Sequence, residues 1–201
     1  MNVLICAVLL GIASLAVWFL ALGARPPARV HLRFASMLFA ALAAAAWIAP
    51  PVADEVALIV AAIALPVLAF GAYAGFEKPL APMPATLLLG VVCLGGLAAA
   101  ATGIISFALV PASLSVAAIL LISARQFDVA RFSSVQGMLS ALALLAAASS
   151  FALEGTGSAH LLFSAAGLLG LTLALSRASN IVVEQQSSRD LRHSVTIGDA
   201  G

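Results

Sequence analysis

From Ala85 to Ser123 the chain carries no charged side chain, and residues 3–23 and 56–76 are equally bare of charge. A segment that offers no charge over such a distance has no side suited to water. An α-helix crosses the hydrocarbon core of a bilayer with about 20 apolar residues, because its backbone N–H and C=O groups are satisfied internally. These runs therefore predict transmembrane helices. Composition agrees: 64% of the 201 residues are hydrophobic and 8% are charged, against roughly 25% charged in a soluble domain.

Charges, prolines and glycines divide the apolar text into seven expected spans, 3–23, 34–49, 56–76, 85–101, 104–124, 137–153 and 160–176. The basic segment 24–33 (ARPPARVHLR) ends the first, and Pro50-Pro51 with Asp54-Glu55 ends the second. Glu77-Lys78 and the prolines Pro79, Pro82 and Pro84 close the third. The long run 85–123 exceeds one span and is divided at Thr102-Gly103, a turn-forming pair. The fold class is all-α: a polytopic transmembrane helix bundle over residues 1–177, followed by a short polar tail, 178–201. The first run is read as a retained span. Its only preceding residues are Met1-Asn2, and it exceeds the 7–15-residue core of a signal peptide.

Orientation follows from the placement of lysine and arginine, which collect on the cytoplasmic side of membrane proteins. With loop 24–33 inside, seven alternating spans put Arg25, Arg29, Arg33, Lys78, Arg125, Arg131, Arg177, Arg189 and Arg192 on that side. Those are all nine basic residues. The other side receives Asp54, Glu55 and Glu154 as its charged groups. The expected topology is N-out/C-in, in a bacterial cytoplasmic membrane. An odd number of spans is needed for this pattern, which supports the division at 102–103.

The spans lack the residues of several chemistries. Pumps and ion-coupled carriers place ionisable groups within the bilayer, and none of these spans holds Asp, Glu, Lys or Arg at depth. A retinal protein needs a lysine in its last span, and an intramembrane protease needs paired Asp or a His/Glu cluster. Haem within a bundle needs facing His or Met ligands at matched depth, whereas His31, His160 and His193 fall in a loop, at the opposite face and in the tail. No phosphate-binding loop, nucleophile elbow or Cys/His metal spacing occurs. Cys6 and Cys93 are expected at different depths, hence unbridged. No cofactor, metal or nucleic acid is expected, and the chain reads as non-catalytic.

Pro66 and Pro111 fall inside spans that run in the same direction. Each proline removes the N–H that would bond four residues back, which frees the carbonyls of Ala62 and Phe107. Small polar residues gather at that level or above it: Ser106, Ser113, Ser115, Ser149, Ser150 and Ser164, with His160 at the rim. Together with Pro66 and Pro111 they form the candidate outward-facing pocket. The competing reading is that the serines bond to their own helices and the prolines shape packing. Trp18 and Trp47, near span ends, read as interface anchors.

Small residues at 40–46, at Gly71 and Gly75, at Gly90, Gly95 and Gly96, and at Gly167 and Gly170 give flat faces for helix association. Two functions are consistent with this text. One is an accessory, assembly or scaffold subunit of a larger membrane complex, touching lipids and either other membrane subunits or copies of itself. The alternative is a small transporter or channel for a neutral or lipid-like solute. A sensor signalling through its tail would need a longer output segment.

Overall fold

The computed structural model describes residues 3–24, 26–76, 82–101, 105–125, 131–150 and 159–176. Among them the chain forms seven helices: α1 (Val3–Gly23), α2 (Pro26–Ile48), α3 (Pro50–Phe76), α4 (Pro82–Ala101), α5 (Ile105–Arg125), α6 (Arg131–Ser150) and α7 (Ala159–Ser176). Five of these, α1, α2, α3, α6 and α7, are long and apolar enough to cross a membrane. The apolar stretches Leu89–Ala98 in α4 and Val110–Arg125 in α5 are shorter. The set is compatible with an integral membrane protein.

Three boundaries differ from the sequence expectation. Segment 24–33 is expected as a loop, but α2 opens at Pro26, so Arg29, His31 and Arg33 stand on helix. Pro50-Pro51 is expected to end a span and separate it from the next; instead it begins α3, and Ala49 alone joins the two helices. Proline is well suited to a first helical turn, where its missing N–H would have had no partner and its φ is already helical. The joint is closed by the Ala49 N–H donating to the Ala45 carbonyl at 2.8 Å and the Val52 N–H donating to Ala49 at 3.0 Å. The third difference is α6, which starts at Arg131 rather than at 137 and is described to Ser150. The turn at 102–104, the segment 154–158, Arg25, Lys78 and the tail 178–201 lie outside the described residues.

Successive helices run antiparallel. Gly11 of α1 faces Ala43 of α2, while the Arg33 guanidinium sits 5.0 Å over the ring of Trp18. Leu32 of α2 meets Gly71 of α3, and the rings of His31 and Phe70 lie 6.0 Å apart. Gly96 of α4 touches Ala62 and Pro111, whereas Leu89 lies beside Pro66 and Ala118. That reversal makes α4 antiparallel to both α3 and α5. Helices α6 and α7 also run antiparallel: the Ser133 hydroxyl donates to the Ala174 carbonyl, and Leu144 meets Gly167.

Helix α3 is the hub. It packs on α2, α4 and α5, and 67% of its apolar window is buried, against 33% for α1. The interior is built from small groups, with alanine at about half of the buried apolar positions. Leucines such as Leu10, Leu68 and Leu168 are buried among them, but many other large side chains point outward. On α1, Leu4, Ile5, Val8, Ile12, Leu15 and Phe19 are exposed, while Cys6, Leu10, Ala13, Ser14 and Val17 are buried at spacings of three and four. Lipid tails are as apolar as leucine, so burying large residues yields little in a bilayer; close contact through small ones holds such helices together.

The antiparallel order also sorts charge. Arg29 reaches the Ala24 carbonyl at 3.2 Å at the end of α1, and Arg125 at the end of α5 lines a crevice with Tyr73 of α3. Arg131 begins α6 at the same level, because Ser134 bonds to Ser123 near the end of α5. This is the basic end of the bundle. Glu55 lies at the other end, in the second turn of α3. Trp18 belongs to the basic end and the exposed Trp47 to the acidic end.

Candidate functional site

Pro111 and the turn of α3 that precedes Pro66 meet at Gly96 of α4. In α3, Pro66 leaves the Ala62 carbonyl without the N–H normally offered four residues on. A Cβ built on Gly96 of α4 would lie 2.8 Å from that Ala62 oxygen and 3.3 Å from Cγ of Pro111. The glycine therefore lets α4 press its backbone into the gap that the proline opens. Three helices are keyed together here, α3 by its proline, α5 by its own, and α4 by the absence of a side chain.

From this junction a crevice runs between α3 and α5 toward the basic end. Its deeper part, about 180 Å³, is walled by Pro66, Leu89, Val92, Leu114 and Ser115. Its outer part, about 300 Å³, is walled by Tyr73, Leu121, Ile122 and Arg125. Ala69, Phe70 and Ala118 belong to both parts, so the two are continuous. The walls are apolar apart from the Ser115 hydroxyl, the Tyr73 phenol and the Arg125 guanidinium. Leu114 and Leu121 at its edge are 66% and 65% exposed, so the crevice opens sideways onto the apolar surface.

The serines named from the sequence are distributed among several helices. Ser115 is buried and donates to the Pro111 carbonyl at 2.6 Å, one turn back in its own helix. Ser150 donates to Ala147 at 2.7 Å, and the exposed Ser149 donates to Leu145. Ser113 is exposed, and Ser106 lies in the first turn of α5. His160 is buried in the first turn of α7. Ser164 lines a separate void of about 10 Å³ with Phe39, Ala61 and Leu144, which is about the least space that holds one water. Pro66 and Ser115 thus share the crevice, with Pro111 at its head, while Ser164 faces a different and nearly closed space.

A second group of serines was not singled out in the sequence. Ser133, Ser134 and Ser140 of α6 and Ser123 of α5 are all buried, and they join α5, α6 and α7 near the basic end. The Ser134 hydroxyl donates to the Ser123 carbonyl at 2.5 Å, and the Ser133 hydroxyl donates to the Ala174 carbonyl of α7. Gly137 accepts Ser123 against its backbone, and Gly170 accepts Ser140. The available signal was the spacing Ser133, Ser134, Gly137, Ser140, a small polar stripe at helical period. It was hidden by starting the span at 137.

Among the described residues no Asp, Glu, Lys or Arg is buried, and no three His, Cys, Asp or Glu side chains come together as a metal site would need. The buried hydroxyls of Ser14, Ser115, Ser133, Ser134, Ser140, Ser150 and Ser36 all donate to backbone carbonyls. Hydroxyls bonded to the carbonyl one turn back bend helices, and those of Ser133 and Ser134 fasten one helix to another. Comparison with protein-family models, with curated proteins and with solved structures finds no match.

Proposed function

We propose that the chain is a seven-span protein of a bacterial cytoplasmic membrane, N-terminus outside and C-terminus inside, acting as a non-catalytic accessory, assembly or scaffold subunit. The observation that carries this reading is the outward face of α4. Gly95 and Ala98 are exposed there beside Val91 and Leu94, and nothing lies within 4 Å of a Cβ built on Gly90 or Gly95. Elsewhere glycines on the helices are spent on contact: Gly71, Gly96, Gly137, Gly167 and Gly170 each sit against a neighbour. Small residues let a second helix approach closely, and in lipid that approach is the main source of helix association. A face of this kind left open suits a helix from another membrane subunit or from a second copy of the chain. Most buried serine hydroxyls are bonded to backbone carbonyls, Ser123 being an exception, and together with the lack of buried charge this supports a structural role over a catalytic one.

The test is purification in a mild detergent with identification of what travels with the protein. A partner subunit should co-migrate with the wild-type chain and be lost on Gly95→Leu, while the melting temperature stays unchanged. Recovery of a lone monomer at every detergent concentration would remove the reading.

A second reading, a transporter or channel for a neutral or lipid-like solute, is favoured by the α3–α5 crevice and by the proline junction at its head. Joint replacement of Pro111, Ser113 and Ser115 should then abolish uptake in proteoliposomes without loss of folding. Unchanged uptake across neutral solutes and lipid analogues would count against it.

A further inference from the structure

We infer that the crevice between α3 and α5 is a binding site for one anionic phospholipid of the cytoplasmic leaflet, an acyl chain lying along Ala69, Phe70 and Ala118 and the phosphate meeting Arg125. The inference uses the orientation proposed above, which puts the basic end on the cytoplasmic side.

Four features of the crevice select this occupant. First, its walls are apolar along their length, so a fully polar solute would lose its hydration there without replacement. Second, apart from the Ser115 hydroxyl, which donates within its own helix, its polarity lies at one end, where the Tyr73 phenol and the exposed Arg125 guanidinium stand. An amphipathic molecule with an anionic head matches that division. Third, the edge formed by Leu114 and Leu121 is exposed, so in a bilayer the opening faces lipid and a chain enters sideways. Fourth, the charged end coincides with the end that carries Arg29, Arg33 and Arg131. Basic pockets between helices on the cytoplasmic side take anionic headgroups, at about 1 kcal/mol or fivefold per charge. The combined space, about 300 Å³ and about 180 Å³ in overlapping parts, is within the lower range of small-molecule sites.

A free anion such as inorganic phosphate would find a single arginine beside an apolar wall. A zwitterionic lipid would fill the groove equally well and also offers a phosphate, but its choline cation offsets what that phosphate gains from Arg125. The headgroup preference and the groove are therefore separable, and two variants separate them. Arg125→Gln removes the charge at an exposed position, and Arg125→Lys restores it. Ala118→Phe fills the groove and leaves the charge.

The experiment is native mass spectrometry of the full chain released from nanodiscs holding phosphatidylglycerol and phosphatidylcholine in equal parts. The wild-type protein should retain one lipid with about a fivefold preference for phosphatidylglycerol. Arg125→Gln should reduce the preference to about equal retention, and Arg125→Lys should keep most of it. Ala118→Phe should lose the retained lipid of both kinds. Should Ala118→Phe fail to fold, a photoreactive phosphatidylglycerol on the wild-type chain replaces it, with crosslinks expected on residues 69–73 and 118–125. Equal retention of the two lipids by the wild type, an unchanged preference in Arg125→Gln, or crosslinks confined to other helices would each overturn the proposal. So would release of the lipid by millimolar inorganic phosphate, which would mark a plain anion site. None of these readings depends on membrane orientation or on a partner subunit, so failure here is distinguishable from failure of the proposed function.

Discussion

Helix α5 makes two kinds of seam. Toward α6 it is tight: Gly137 lies against Ser123, and Ser134 reaches across to the Ser123 carbonyl. Toward α3 it also packs closely, but over the same stretch of helix the margin of that interface leaves a crevice of about 300 Å³. The difference lies in side-chain size. The tight seam is made of glycine and serine, while Phe70, Tyr73, Leu121 and Ile122 line the crevice together with Ala69 and Ala118. In water, large apolar groups would pull together to exclude solvent. In lipid that pull is absent, so bulky contacts remain apart and small ones close. One helix thus serves as a fastened joint on one side and as the wall of a groove on the other.

This contrast can be broken most forcefully at the tight seam. Gly137→Ala should destabilise the protein by about 1–3 kcal/mol, the usual cost of overpacking, because the new Cβ would lie 2.8 Å from that of Ser123 and closer still to its hydroxyl. Unfolding in a detergent series measures it, and Ser123→Gly in the same chain should recover most of the loss. Gly96→Ala should cost a similar or somewhat smaller amount, since its Cβ would press on the Ala62 carbonyl and shift α4 as a body. Ser134→Ala removes a single interhelical hydrogen bond. A loss of about 0.6 kcal/mol, and no more than about 1.7, is expected from comparable bonds in membrane bundles. The smallest effect belongs to α4: Gly90→Ala meets open space and should be neutral or slightly stabilising, since alanine is the better helix former by about 0.8–1.0 kcal/mol. A Gly90→Ala loss as large as that of Gly137→Ala would show that contact at the seam is not what distinguishes these glycines.

The helices were legible in the sequence because charge-free runs of span length have few other uses. Helices α1, α4, α5 and α7 fall within a few residues of expectation, while the division at Thr102-Gly103 lies outside the described residues. The starts of α2 and α3 differ for separate reasons: the basic segment 24–33 reads as a loop, and Pro50-Pro51 with Asp54-Glu55 reads as a stop where the prolines serve as a start. Hydropathy cannot tell these apart, since proline suits the first turn of one helix and also ends the one before. The crevice was not legible at all. Its walls come from residues about fifty apart in sequence, and nothing in either segment states how far apart bulky groups will hold two helices. The proline pair was visible, but its partner Gly96 was read only as one of several small residues. Serine content likewise drew attention to the acidic end, whereas the interhelical serine bonds lie near the basic end, where α6 is longer than its apolar run.

The account depends on the basic end of the bundle facing the cytoplasm, with the chain crossing the membrane seven times. Single cysteines at Glu55 and Arg131, in a chain with Cys6 and Cys93 replaced by serine, test this in intact cells with an impermeant thiol reagent. Both positions are exposed. The cysteine at 55 should label in intact cells, and the cysteine at 131 should label only after the membrane is opened. Labelling of both from the same side, or of 131 alone in intact cells, would contradict the topology.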